Sequence, residues 1–553
     1  MSIRALAREL YGMEAASEVL SRIERLIATH EARPATVQWS ENDVWLITYP
    51  DQFRRQGEAP LRTLDLFFRE HLGDRLNGVH ILPFYPWSSD DGFSVLDFEA
   101  VAPEYGTWTD VSAIAASGRL MVDAVINHMS AQSEWFRAFL AGEAPYTSFF
   151  RTADPSADLS ATVRPRTHPL LTPIETANCT KHLWTTFSSD QIDLDYRSVD
   201  LLVRMIGVLL DYCRRGAAAI RLDAVGFLWK TEGTTSIHLR ETHAVIQLIR
   251  AVIDQVYPDV ILITETNVPH EENVSYLDGD ESEAQAVYLF TLPPLVLHTL
   301  DGGDASDLSE WLGRIMKPIG DGRTYFTFLA SHDGVGVRPL EGIVGEDVLD
   351  RLVELTVRAG GRVNFRSVSD DKAIPYELNS TWFSLMRAGR GDEEGVKRHL
   401  ASHAIMLSLP GIAGLYVHSL FGGLNDQEGF ARTQHNRSLN RRKFEDVDDL
   451  VARLADPGTR EAAVFAGMRN LIGWRRSHPA FHPEAAMTVI DTPRAVFGVE
   501  RGTGDSRARV YVEVGGGTAT IRVDGEWRRL DTGDLVAGAT VLEPYQSLWL
   551  AAT

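Results

Sequence analysis

Short, nearly continuous apolar runs alternate with longer amphipathic stretches along most of the chain, the order that repeated βα units require. Eight runs read as strands, at 44–48, 78–84, 120–127, 217–225, 260–266, 286–292, 324–330 and 411–417. Runs with apolar residues on both faces belong in a buried parallel sheet. The pattern predicts an α/β fold, a (β/α)8 TIM barrel.

The spacing between runs adds detail. The gap between the third and fourth strands is too long for a simple crossover, and 146–197 within it is rich in Pro, Thr and Asp, which predicts an inserted lid subdomain. A second irregular stretch, 334–376, follows the seventh strand and carries Gly360-Gly361-Arg362 and the segment 367–372. It is expected to be a mobile loop beside the site. After Arg475 the pattern becomes short alternating runs at 495–499, 509–513 and 547–550, a small all-β C-terminal domain. The expected division is an N-terminal helix and first part of the barrel at 1–128, the lid at 129–197, barrel at 198–334, a second insertion at 335–400, the end of the barrel at 401–477 and the β domain at 478–553.

Composition narrows the chemistry. A chain of 553 residues, 44% hydrophobic, can bury a large core. A net charge of −22 argues against nucleic acid or an anionic membrane as partner, so a small anionic ligand would need a local basic pocket. The N-terminal ten residues alternate charged and apolar positions and carry no signal-peptide core, and no segment has the apolar length of a membrane span. Cys179 and Cys213 are too few for a disulfide framework, which points to a reducing cytoplasm.

Three acidic residues each close a strand-like run: Asp223 after Ala218-Ala219-Ile220-Arg221-Leu222, Glu265 after Ile261-Leu262-Ile263-Thr264, and Asp333 after Phe328-Leu329-Ala330-Ser331-His332. A lone acid at such a place is usually a helix cap or loop residue. Three at the C-terminal ends of barrel strands, where parallel barrels keep their chemistry, read as a catalytic set.

Here the sequence resembles glycoside hydrolase family 13, the α-amylase-like enzymes, and within it the sucrose-phosphorylase-like branch. The resemblance runs from about Val44 to Arg442. It rests on Met121-Val122-Asp123-Ala124-Val125-Ile126-Asn127-His128, Ile220-Arg221-Leu222-Asp223-Ala224-Val225-Gly226, Ile263-Thr264-Glu265 and Ser331-His332-Asp333-Gly334. Arg164-Pro165-Arg166 and Gln191-Ile192-Asp193-Leu194-Asp195 are similar to the phosphorylase branch in particular. The resemblance implies retaining transfer of glucose, with Asp223 as nucleophile, Glu265 as acid and then base, and Asp333 as the carboxylate that holds sugar hydroxyls and stabilises the transition state. Arg221 is expected to keep Asp223 ionised. Asp90, Phe93, His128, Phe187, Gln191 and His332 are placed around the donor sugar, with His128 expected to end the third strand.

A phosphorylase differs from a hydrolase in admitting phosphate where water would attack. The family pattern assigns phosphate contact to Arg166 and Arg441, with Arg164 nearby. Val163 departs from the Tyr common in sucrose phosphorylases and weakens sucrose as substrate. The segments Ser88-Ser89-Asp90-Asp91-Gly92-Phe93-Ser94-Val95 and Thr264-Glu265-Thr266-Asn267-Val268-Pro269-His270 are more similar to phosphorylases acting on glucosylglycerate or glucosylglycerol. Arg362, Arg366 and Lys372 add positive charge to the expected acceptor loop, which favours a carboxylate-bearing acceptor such as D-glycerate. Glycerol, fructose and fructose 6-phosphate remain as alternative acceptors. A hydrolase, a transglucosidase or a non-catalytic binding protein are more distant readings. No cofactor is needed for a double displacement, and no metal site is expected, although Asp193 and Asp195 are acidic enough to have been considered for calcium. A monomer or homodimer is expected.

Overall fold

The computed structural model describes residues 2–36, 39–177, 179–277, 283–316, 322–369 and 372–553. Eight parallel strands close into a barrel: β1 (Val44–Thr48), β2 (Gly78–Ile81), β3 (Arg119–Ala124), β4 (Ala217–Leu222), β5 (Ile261–Thr264), β6 (Ala286–Tyr288), β7 (Thr324–Thr327) and β8 (Ile412–Tyr416). They lie in sequential order, and β1 closes the ring against β8 with Val44 opposite Ala413. The strands are buried throughout apart from a partly exposed Arg119 and Ala218, as expected when helices cover the outside and side chains fill the inside. Filling is tight: a Cβ on Gly414 would lie 2.4 Å from the ring of Phe326.

The strands are shorter than their apolar runs. β2 stops at Ile81 because Pro83 has no N–H for the ladder. β3 stops at Ala124, so His128 does not end the third strand. It opens a short antiparallel pair, His128–Ser130 with Gln191–Asp193, that brings the two ends of the lid insertion together. The lid itself carries a helix, Glu134–Ala141, and a hairpin of Leu171–Glu175 with Thr180–Trp184.

The stretch after β7 was expected to be irregular and is not. It forms a helix, Glu346–Arg358, and a three-stranded antiparallel sheet of Val335–Gly336, Lys372–Asn379 and Arg362–Ser369. Arg362-Val363-Asn364-Phe365-Arg366 mixes charge and apolar residues, so it lacks the run that marks a buried strand, and its pairing comes from the returning strand. Residues 370 and 371 of the expected acceptor loop lie outside the described residues.

After the helix Arg460–Arg476, strands β9 (Met487–Val489), β10 (Val496–Arg501), β11 (Ala508–Glu513), β12 (Ala519–Arg529), β13 (Leu535–Leu542) and β14 (Ser547–Ala552) form one antiparallel sheet in the order β9-β10-β11-β14-β12-β13. Two buried arginines, Arg475 in this helix and Arg501 in β10, tie the C-terminal part of the chain to the barrel by donating to backbone carbonyls. Arg475 reaches Leu407 at 2.7 Å and Gly411 at 2.6 Å, and Arg501 reaches Ser408 at 2.7 Å and His482 at 2.9 Å. Guanidinium donors satisfied this way can stay buried without a carboxylate.

Candidate active site

Asp223 and Glu265 follow β4 and β5 directly and Asp333 lies six residues beyond β7; the first two stay in register with the ladder, Asp223 N donating to Ala124 O at 3.1 Å and Glu265 N to Leu222 O at 3.1 Å. Ala224 then takes a positive φ of 49°. That sparsely populated conformation turns its N–H toward Glu265 Oε2, at 2.9 Å. Arg221 lies beneath the carboxylates, with Nη1 at 2.8 Å from Asp223 Oδ1 and Nη2 at 3.8 Å from Glu265 Oε2. Arg221 also donates to Asp123, whose other oxygen meets His80 Nε2 at 2.7 Å. Asp123 lies in a quoted motif but had drawn no role; a charged residue inside an apolar strand was the available signal.

These neighbours set the proton affinities. Burial pushes Glu265 up to about 7, with Asp223 and Asp333 adding repulsion and Arg221 opposing it. Burial also raises Asp223, and Arg221 pulls it back without fully offsetting the desolvation, so the expected lowering is not realised. Asp333 goes the other way: burial is outweighed by Arg437, Arg441, Arg221 and Arg166, which hold it below its ordinary value. The set therefore contains one carboxyl poised to carry a proton near neutrality and one held as an anion.

A cavity opens above the carboxylates, and Asp90, Phe93, His128, Phe187, Gln191 and His332 all line it. Phe93 stacks on His332 with ring centres 4.6 Å apart and planes within 5°. His128 Nε2 and Gln191 Nε2 both reach Phe93 O, at 2.8 and 3.1 Å. Asp90 and Asp91 have φ values of 54° and 49°, and the loop is pinned from below by Asp190, which accepts from Ser88 and Ser94 at 2.6 and 2.8 Å. The result is a small polar pocket with an aromatic wall, suited to one pyranose ring.

The arginines divide by position. Arg166 lines the cavity with its guanidinium 5.8 Å from the ring centres of both Phe187 and Tyr376, and it makes no ion pair with a described residue. Arg441 does not line the cavity. It donates to Asp91 Oδ2 at 2.6 Å and His332 O at 2.9 Å, bracing the Asp90 loop against the segment after β7, while its Nη2 stays 3.7 Å from Asp333 Oδ1 with no hydrogen-bond partner among the described residues. Arg437, four residues earlier, reaches the cavity and pairs with Asp333 Oδ1 at 2.7 Å and Glu377 Oε1 at 3.0 Å. Neither Arg437 nor Glu377 had been singled out. The register of Lys372–Asn379 skips Tyr376 between Glu377 and Pro375, and such a bulge re-aims a side chain, here into the cleft.

A second cavity adjoins the first and shares Phe187, Ala224, Glu265, Asn267 and Tyr376 with it. Arg164, Arg338 and Arg366 line this vestibule, with Val163, Pro165, Ile237 and Val268 as apolar wall. Arg164 donates to His168 O. Arg362 is not among the lining residues: it is exposed, with its guanidinium 5.0 Å above the ring of Phe430. Asp193 already holds Lys230 Nζ at 3.0 Å, and Asp195 pairs with Arg197, so cationic side chains occupy the pair once considered for calcium.

Residues 70–349 match the model of the alpha-amylase catalytic domain, about half of the chain. The chain belongs to the α-amylase family. Within that family it is 46% identical to a glucosylglycerate phosphorylase of Allomeiothermus silvanus, over 98% of this chain and 96% of the relative. A glucosylglycerate phosphorylase of Escherichia coli K12 is 41% identical, over 96% of this chain and 95% of the relative. The crystal structure of sucrose 6F-phosphate phosphorylase from Thermoanaerobacter thermosaccharolyticum superposes with a TM-score of 0.77 at 24% identity, covering 91% of this chain and 98% of that one. It shares the barrel fold of this α-amylase-family protein. No helix among the described residues is long and apolar enough to cross a membrane.

Proposed function

We propose that this protein is a retaining α-glucoside phosphorylase that transfers glucose from 2-O-α-glucosylglycerate to inorganic phosphate, reversibly giving α-glucose 1-phosphate and D-glycerate. The observation that carries the reading is Arg166, a cation without an ion-pair partner among the described residues, lining the same cavity as Asp223 and Glu265 in a chain of net charge −22. A hydrolase has no use for an unpaired cation there, whereas a phosphorylase needs one to hold phosphate. The relatives named glucosylglycerate phosphorylase, at 46% and 41% identity over nearly the whole chain, support the substrate.

In the first step Asp223 attacks the anomeric carbon as the bond to the glycerate oxygen breaks, and Glu265 delivers its proton to that oxygen. Glycerate leaves through the vestibule. A phosphate oxygen then attacks the same carbon, the bond to Asp223 breaks, and the Glu265 carboxylate takes the proton that hydrogenphosphate brings. Asp333 holds the sugar hydroxyls and the developing positive charge. Arg166 orients phosphate against the face vacated by glycerate.

One panel tests the proposal: α-glucose 1-phosphate with glycerate, glycerol, fructose or fructose 6-phosphate, following phosphate release. Glycerate is expected to be used best. Glucose release from the glucoside at a rate independent of phosphate would return the protein to the hydrolases.

A further inference from the structure

The vestibule has a chemistry of its own. Asn267 stands two residues after Glu265 and lines both cavities, at the junction that the glycosidic bond must cross. Its amide packs on Gly336, where a Cβ would come within 2.4 Å of Nδ2. Its Oδ1 is shut off from solvent and has no hydrogen-bond partner among the described residues. A buried amide oxygen left this way costs free energy until a donor arrives. A ligand hydroxyl is one donor that relieves this cost if the amide turns toward the cavity.

Arg338 follows Gly336 by two residues, and its side chain is only 18% exposed. One Nη2 lies 3.5 Å from Glu272 Oε2, and that carboxylate is also 3.4 Å from His238 Nε2, so Arg338 is anchored from behind. Arg366 is anchored similarly, Nη2 to Glu341 Oε1 at 2.8 Å, and its buried Nε has no partner. Arg164 brings a third guanidinium held only by a neutral carbonyl. Arg338, Arg366 and the exposed Arg164 thus bring three guanidiniums to a cavity whose own lining holds one carboxylate, Glu265, with Glu272 and Glu341 behind Arg338 and Arg366. A carboxylate can take charge-assisted hydrogen bonds from these donors, whereas a neutral polyol makes only the weaker neutral ones.

We propose that Arg338 and Asn267, together with Arg366, form the acceptor subsite that selects a short hydroxy acid, the guanidiniums holding its carboxylate and Asn267 its free hydroxyl. The assignment rests on the phosphorylase reading above and moves the acceptor-binding role from Arg362 to Arg338. Glu272 acts as a positioning residue for Arg338.

The test compares wild type, Arg338→Gln and Arg362→Gln in the synthetic direction with glycerate and with glycerol, alongside slow hydrolysis of α-glucosyl fluoride, which uses no acceptor. Arg338→Gln is expected to lose about tenfold to a hundredfold in kcat/KM for glycerate, mainly through KM, with glycerol use and fluoride hydrolysis nearly unchanged. Arg362→Gln is expected to behave as wild type. Equal losses on both acceptors, or an unchanged glycerate KM, would overturn the subsite while leaving the phosphorylase reading in place. Wild-type enzyme that prefers glycerol would instead overturn the glycerate reading, and the subsite would fall with it.

Discussion

Glu265→Gln should make the protein more stable at pH 8 while disabling it. Burial, with Asp223 and Asp333 nearby, pushes the Glu265 carboxyl from 4.5 to about 7. A group whose affinity for protons rises on folding contributes stability that is full below about 4.5 and is lost as pH rises through about 7. At 1.36 kcal/mol per tenfold in proton affinity, the displacement amounts to about 3 kcal/mol between those limits. Gln cannot ionise, and its amide oxygen can still accept from Ala224 N, so the variant should escape the loss. With an unfolding entropy of about 2.1 cal/mol/K per residue, a chain of 553 residues would gain about 2–3 °C in Tm at pH 8. The assay is calorimetry of wild type and variant at pH 4.5 and pH 8, reading the difference between the two pH values so that packing effects of the substitution cancel. Parallel pH profiles for the two proteins would refute a raised Glu265, and with it the physical basis for the acid role. In wild type the same group predicts that kcat/KM for phosphorolysis falls as pH rises above about 7.

Asp223→Asn should fold, since the change is nearly isosteric and Arg221 keeps Asp123, yet lose several orders of magnitude in turnover; wild-type rates would discard the nucleophile assignment. Arg166→Ala should raise the KM for phosphate strongly while sparing slow hydrolysis of the glucosyl-enzyme, because water needs no cationic clamp; phosphate saturation curves that superpose on wild type would count against it. Gly336→Ala should displace the Asn267 amide, whose Nδ2 lies 2.4 Å from the new Cβ, and raise the KM for glycerate with little effect on fluoride hydrolysis. An unaltered glycerate KM in that variant would show that Asn267 does not touch the acceptor.

The barrel and its three carboxylates were legible because their signals are local. Each strand is a continuous apolar run, and each acid sits one to six residues beyond its strand's end, where the fold class alone places the chemistry. The expected irregular loop after β7 failed for a related reason: Arg362–Arg366 is partly to fully exposed and mixed in character, so the pairing of its strand with Lys372–Asn379 left no periodic trace.

From the sequence alone come the (β/α)8 scaffold, the acid set, the basic segments and, through family likeness, the class of reaction. Which arginine faces which cavity was decided only by tertiary structure. Arg437 and Arg441 share one short segment, yet Arg437 lines the cavity and pairs with Asp333 at 2.7 Å while Arg441 lies behind it, donating to Asp91 and the His332 carbonyl, contacts made across a hundred residues or more. Arg362 and Arg366 alternate onto one strand face but stand about 13 Å apart along it, so only one reaches the vestibule. Asn267 and Arg338 are unremarkable in sequence, and they matter because Gly336 lets the loops after β5 and β7 approach closely enough to leave an amide oxygen buried and unpaired. Side-chain charge is written in the chain; the desolvation and pairing that give each charge its function exist only once distant segments have packed.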